Sequence, residues 1–147
     1  MTTSPPTAPL LEWVYTAVVE IGERRELGAS PLGQRFMIDI AGGCFEGPLL
    51  KGRVLPGGAD RQLLRADGVK ELDALYEMQT DDGAVITVHN RVLIDDAAPQ
   101  GRYLRSTVRL TAPDGPHAWL NRRVFVGTLT PLPPERKAVK IAVYLVA

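Results

Sequence analysis

Apolar and polar residues alternate with a period of two along most of this chain. Leu11, Trp13, Tyr15, Ala17, Val19 and Ile21 fall on one side of a run whose other side holds Glu12, Thr16 and Glu20, which predicts a long half-buried strand. Residues 34–41 repeat the pattern, with Phe36, Ile38 and Ile40 facing one way and Arg35, Met37 and Asp39 the other. Further strands are predicted near 43–47, 50–55 and 59–65, separated by Gly-Pro and Pro-Gly-Gly punctuation. Runs rich in β-branched residues over 84–94, 102–111, 118–129 and 139–146 add four more, joined by segments such as Asp81-Asp82-Gly83 and Pro113-Asp114-Gly115-Pro116.

Residues 67–79 fit two periods. Val69, Leu72, Leu75 and Tyr76 have helical spacing, whereas Leu72, Ala74, Tyr76 and Met78 alternate with Glu71, Asp73 and Glu77. The short turn that leads directly into 84–92 favours a hairpin, and the segment is read as a strand. Eight to ten antiparallel strands in one chain of this length leave costly edges unless they stack or close. The predicted fold is therefore all-β: a single antiparallel β-barrel, closed or nearly so and lipocalin-like. It occupies residues 10–147 behind a flexible N-terminal arm, 1–9, that holds three prolines and no charged side chain.

Composition narrows the function classes. Of 147 residues, 17 are Lys or Arg and 17 Asp or Glu, with both signs scattered. No nucleic-acid footprint or polybasic membrane patch is expected from that balance. No apolar run approaches the ~18 residues of a membrane span, and no signal-peptide core follows a basic start, so a cytoplasmic location is expected. A single cysteine, Cys44, excludes an internal disulfide and any multi-cysteine metal site. His89 and His117 lack metal-ligand spacing. The glycine-rich stretch 41–60 has no Lys-Ser or Lys-Thr pair, so its glycines are read as bulges and corners and not as a phosphate loop. No cofactor and no metal are expected.

The order of residues then becomes informative: Gly33 and Arg35, GGCFEGP, GRVLPGGAD, DGVKELDALYEMQTDDGA, the Asn90 strand, Tyr103-Leu104-Arg105 and Ala118-Trp119-Leu120-Asn121. Over about residues 10–146 this succession resembles the bacterial and fungal family catalogued as domain of unknown function 3237. The resemblance implies a single-domain antiparallel barrel with a central cavity. Arg61 stands where that family commonly has Trp after the Ala-Asp pair, and Arg91 stands where it has Gly after Asn. The resemblance carries no established chemistry to this chain.

Candidate site residues are polar side chains on otherwise apolar strands. Asp60 follows a Pro-Gly-Gly corner and Asp73 lies in a mostly apolar strand. A carboxyl desolvated in a barrel has a raised pKa and serves as general acid or base. Asp60 and Tyr76 are the expected catalytic pair. Arg35 or Arg105 is the expected clamp for an anionic substrate or oxyanion, and Asp73, Asn90, Tyr103, Trp119 and Asn121 complete the expected substrate-binding lining, with Trp119 and Asn121 sharing one strand face. The structural alternatives are a turn cap at Asp60, an ion pair of Asp73 with Arg105, a packed Tyr76, a core anchor at Trp119 and a backbone partner at Asn121. Three functions follow: a cofactor-independent lyase, isomerase or hydrolase for a small carbonyl or carboxylate metabolite, a noncatalytic small-ligand carrier, or an interaction protein. Apolar terminal strands exposed on the barrel face would be covered by a second copy, most simply in a homodimer.

Overall fold

In the computed structural model, residues 3–147 are described. The alternation forms nine strands: β1 (Leu11–Ser30), β2 (Gly33–Glu46), β3 (Lys51–Val54), β4 (Ala59–Leu64), β5 (Lys70–Thr80), β6 (Val85–Asp95), β7 (Tyr103–Thr111), β8 (Phe125–Pro131) and β9 (Ala138–Val146). All pairings are antiparallel and run round a ring. β1 pairs with β9 on one side and β2 on the other. β2 pairs with β3 along its second half and with β4 along its first. Both short strands then pair with β5, and β5 through β9 follow in order. No helix of the described residues is long and apolar enough to cross a membrane.

The ambiguous segment is β5. Its backbone pairs along one side with β6 from Lys70↔Ile94 to Gln79↔Val85, and along the other with β4 and then β3. Sheet pairing on both sides supplies the backbone partners a helix would have supplied internally, and Ala74, Tyr76 and Met78 face the core.

Two expectations about alternation need correction. A register shift between Trp13 and Tyr15 places an irregularity in β1, so that Val14 and Tyr15 are both buried while Leu11 and Trp13 turn outward, 60% and 47% exposed. The inward set Tyr15, Ala17 and Val19 therefore does not extend back to Trp13 and Leu11, and Val14 is buried in their place, because an extra residue in a strand inverts the parity of everything before it. The run 118–129 is likewise not one strand. Ala118–Arg122 forms a 3₁₀ turn, and β8 begins only at Phe125. The segment expected at 43–47 is the end of β2.

That 3₁₀ turn plugs one end of the barrel. Leu120 is buried there, Trp119 packs against Phe125 with ring centroids 6.2 Å apart, and Asn121 closes two hydrogen bonds with the backbone of Ala112, at 2.8 and 2.9 Å. His117 reaches across to both carboxylate oxygens of Asp82, at 3.1 and 3.0 Å, in the β5–β6 turn. The hydroxyl of Thr80, foremost, and this imidazole hold the Asp82 carboxyl below its ordinary pKa.

β1 and β2 stay paired through a bulge, where Glu20 faces Gly42 but Ile21 faces Ile40, leaving one residue of β2 extra. Gly43 adopts φ +133°, and a Cβ there would lie 2.0 Å from the carbonyl oxygen of Val18. Gly43→Ala is expected to destabilise the fold by roughly 3 kcal/mol or more, combining a strained backbone with a backbone clash. Urea unfolding of the purified variant measures this; wild-type stability would show that the two strands can separate at that point without loss.

Candidate functional site

The Pro56-Gly57-Gly58 corner interrupts what would otherwise be one strand paired to β5, between Val54↔Met78 and Ala59↔Leu75. Gly58 sits so close to β5 that a Cβ would lie 2.4 Å from Cβ of Tyr76. The corner thus seats the start of β4 against Tyr76, and Asp60 follows on the inward face. Laterally, Ile38, Asp60, Ala74, Asn90 and Val108 are successive Cα partners across five strands. Directly opposed residues share a face of the sheet, so Asp60 and Asn90 lie in one interior row with only Ala74 between them. Tyr76 is the next inward residue of β5 after Ala74.

These side chains border a cavity of about 90 Å³ toward the end of the barrel away from the 3₁₀ plug. That is room for several waters or a small organic group. Its other walls include Val19, Ile40, Leu72, Val92, Leu129 and Ile141. Gln62 also lines it, and among the described residues no Lys, Arg or His does.

Five buried side-chain atoms have no hydrogen-bond partner among the described residues: Tyr15 Oη, Asp60 Oδ1, Tyr76 Oη, Asn90 Oδ1 and Ser106 Oγ. Buried polar atoms in native proteins are ordinarily paired. Three of the five belong to residues that line this one cavity. The remaining carboxylate oxygen of Asp60, Oδ2, accepts a hydrogen bond of 3.0 Å from Nε2 of Gln62.

Burial raises the Asp60 pKa from 3.8 to about 6. The Gln62 amide and the nearby Asp73 backbone N–H oppose the rise, the Asp73 carboxylate adds to it, and Lys70 lowers it. Burial also pushes the hydroxyls of Tyr76 and Tyr15 upward, assisted by Asp60 in the first case and by Tyr76 in the second. Both phenols are therefore neutral hydrogen-bonding groups near pH 7, while Asp60 is poised to hold or release a proton. Among the described residues no three His, Cys, Asp or Glu side chains converge to hold a metal ion.

Asp60, Tyr76 and Asn90 are thus brought together, and the remaining expected site residues are not. Arg35 has the outward parity of β2, and its guanidinium donates to the carbonyls of Leu27 at 2.8 Å and Gly28 at 3.4 Å. Arg105 and Tyr103 share a face of β7, but it is the outer one: the Arg105 guanidinium donates to the Leu104 carbonyl at 2.7 Å, and Tyr103 is 49% exposed. Asp73 points outward beside His89, 2.6 Å away, and Arg91 at 3.9 Å. Trp119 and Asn121 share no strand face, because they belong to the 3₁₀ plug. The anion clamp is accordingly withdrawn. Gln62 was missed, although it lies two residues from Asp60 on β4.

Because Asp60 holds its proton more tightly folded than unfolded, it imposes no penalty below about pH 4 and destabilises the fold as pH rises through about 6. Asp60→Asn should match wild type near pH 4 and exceed it above pH 7, by on the order of 2 to 3 kcal/mol. Denaturant titrations of both proteins across that range provide the measurement. A variant less stable than wild type at pH 8 would mean that the carboxylate is compensated in the folded state.

Similar proteins place the fold and leave the chemistry open. A UPF0311 protein from Rhodopseudomonas palustris (strain TIE-1) is 33% identical over 135 residues, which are 82% of this chain and 88% of that one. The crystal structure of a beta-barrel like protein from Acinetobacter baumannii AYE superposes with a TM-score of 0.87 at 32% identity, covering 99% of this chain and all of the other. A Penicillium herquei protein named hydroalkoxylation enzyme phnH is 29% identical over 141 residues, 96% of this chain and 85% of that protein. Resemblance at the level of residues, the ring of strands and these relatives lead to one assignment: the chain belongs to the family described as Protein of unknown function (DUF3237), whose family model matches residues 9–146.

Proposed function

We propose that this protein is a cofactor-independent enzyme that binds a small, uncharged, largely apolar substrate in the barrel cavity and moves a proton with Asp60. The observation that carries the proposal is the unpartnered Oδ1 of Asp60 beside the unpartnered hydroxyl of Tyr76 and amide oxygen of Asn90, in a cavity otherwise walled largely by aliphatic side chains. A substrate hydroxyl would donate to the Asn90 amide oxygen or to the ionised carboxyl, and a substrate carbonyl would accept from the Tyr76 hydroxyl or the protonated carboxyl. A carboxylate would meet Asp60 in a cavity whose lining holds no Lys, Arg or His to pair with it, so the substrate class narrows to neutral molecules.

Addition to or elimination from a carbon–carbon double bond is the reaction type that such a site suits, and the fungal relative's name supports it. In a hydroalkoxylation the carboxyl of Asp60 would give its proton to one alkene carbon. The substrate hydroxyl oxygen would form the C–O bond at the other carbon, and its proton would return to the carboxylate. Nothing is oxidised or reduced, and the catalyst is regenerated. A carboxyl with a pKa of about 6 is available in both forms near neutrality. Tyr76 and Asn90 would orient the hydroxyl and take up charge developing on it.

The test is a screen of small unsaturated phenols and alcohols, starting from 2-allylphenol, against carboxylates of matched size. Neutral compounds are expected to raise the melting temperature and carboxylates to leave it unchanged at pH 7.5. For a compound that turns over, Asp60→Asn should lower kcat by roughly 100-fold or more, and Asn90→Ala by about 10-fold. Equal stabilisation of wild type and Asp60→Asn, with no turnover of any bound compound, would favour the noncatalytic carrier.

A further inference from the structure

We infer that Gln62 is a positioning residue: its side-chain amide occupies Oδ2 of Asp60, so that Oδ1 alone gives and takes protons at the cavity. The inference rests on the reading of Asp60 as the proton-transfer group, and it adds which atom acts and what selects it.

A free carboxyl group has two nearly equivalent oxygens, and the acid form can carry its proton on either. Here the two are made unlike by the strand itself. Asp60 and Gln62 are two positions apart on β4 and share the inward face. Nε2 of Gln62 donates to Oδ2 at 3.0 Å, while Oδ1 is buried without a partner. A proton on Oδ2 would set one donor against another across that contact. The acid form therefore carries its proton on Oδ1, and the carboxylate form keeps its charge on Oδ2 partly neutralised by the amide N–H. Oδ1 is then donor in one half of a reaction and acceptor in the other, without rotation of the carboxyl group.

The sign of one measurement separates this arrangement from its reverse. If Gln62 donates, its removal withdraws a hydrogen bond from the carboxylate form, and the Asp60 pKa rises. If instead the amide were turned so that its oxygen accepted a proton from Oδ2, removal would withdraw a partner from the acid form, and the pKa would fall. Gln62→Met keeps the length and bulk of the side chain and removes both polar atoms. Carboxyl ¹³C chemical shifts, assigned by their loss in Asp60→Asn, read the titration directly in the unliganded protein. The expected result is a midpoint about one pH unit above wild type in Gln62→Met. Gln62→Leu provides a second removal should Gln62→Met fold poorly.

A midpoint that falls or stays in place, with melting temperature alone altered, would overturn the inference and leave Gln62 a packing residue. Turnover distinguishes the two readings of the site. Undiminished activity in Asp60→Asn would remove the proposed function without touching the Gln62 titration. Loss of activity in Asp60→Asn with an unmoved midpoint in Gln62→Met would remove only the role given to Gln62. Where both hold, the acid limb of the kcat profile should move with the NMR midpoint, with KM changing less than threefold.

Discussion

Everything notable about this molecule depends on the ring closing. Pairing of β1 with both β9 and β2 joins the sheet into a nearly closed ring, and β1 and β2 stay paired through a bulge beside which Gly43 lies against the Val18 carbonyl. Such a ring shields from water the side chains buried on its inner face. Exclusion of water lifts a carboxyl whose ordinary pKa is 3.8 to about 6, because the charged form loses solvation that dipoles in the wall only partly replace. The chemistry available to Asp60 is thus a property of the whole barrel.

The interior shows where the fold gives up stability. A barrel of this width would be steadier with aliphatic side chains in every inward position. Instead Asp60, Tyr76 and Asn90 place polar atoms against apolar walls without partners. A group that lowers stability, borders a cavity and sits near its own titration point is the signature of a functional site more often than of a structural one. At the opposite end the plug is tied down: Asn121 closes both hydrogen bonds with Ala112, and His117 with Asp82 fastens it to a turn 35 residues earlier in the chain. Polar groups there are spent on holding the structure shut.

Parity explains most of what was legible beforehand and most of what was misplaced. Alternation around Phe36 and Ile38 already put Arg35 on the opposite side, and the same count puts Arg105 opposite Ser106 and Val108. Both arginines therefore lie on the outer face, where a guanidinium keeps its water. Asp73 is odd-numbered on β5, as Tyr76 is even, and it stands outside beside His89 and Arg91. Gln62 was readable by the same rule, two residues beyond Asp60. Trp119 and Asn121 were not, because their β-favouring composition gives no sign that His117 is tied to Asp82, and that long-range contact helps to hold the segment as a 3₁₀ turn.

The sequence by itself determined an all-β chain, the approximate extent of most strands, the corner ahead of Asp60 and the family, because period-two burial and turn residues are local properties that each segment expresses alone. Only the tertiary structure decided which polar residues share a space. The register between strands brings Asp60 and Asn90 into one row across residues thirty positions apart, the bulge in β1 sets which of its residues turn inward, and the depth of burial sets the pKa of the carboxyl. Each of these depends on pairing between distant segments, and the energy of a buried charge is decided by surroundings that no single strand contains.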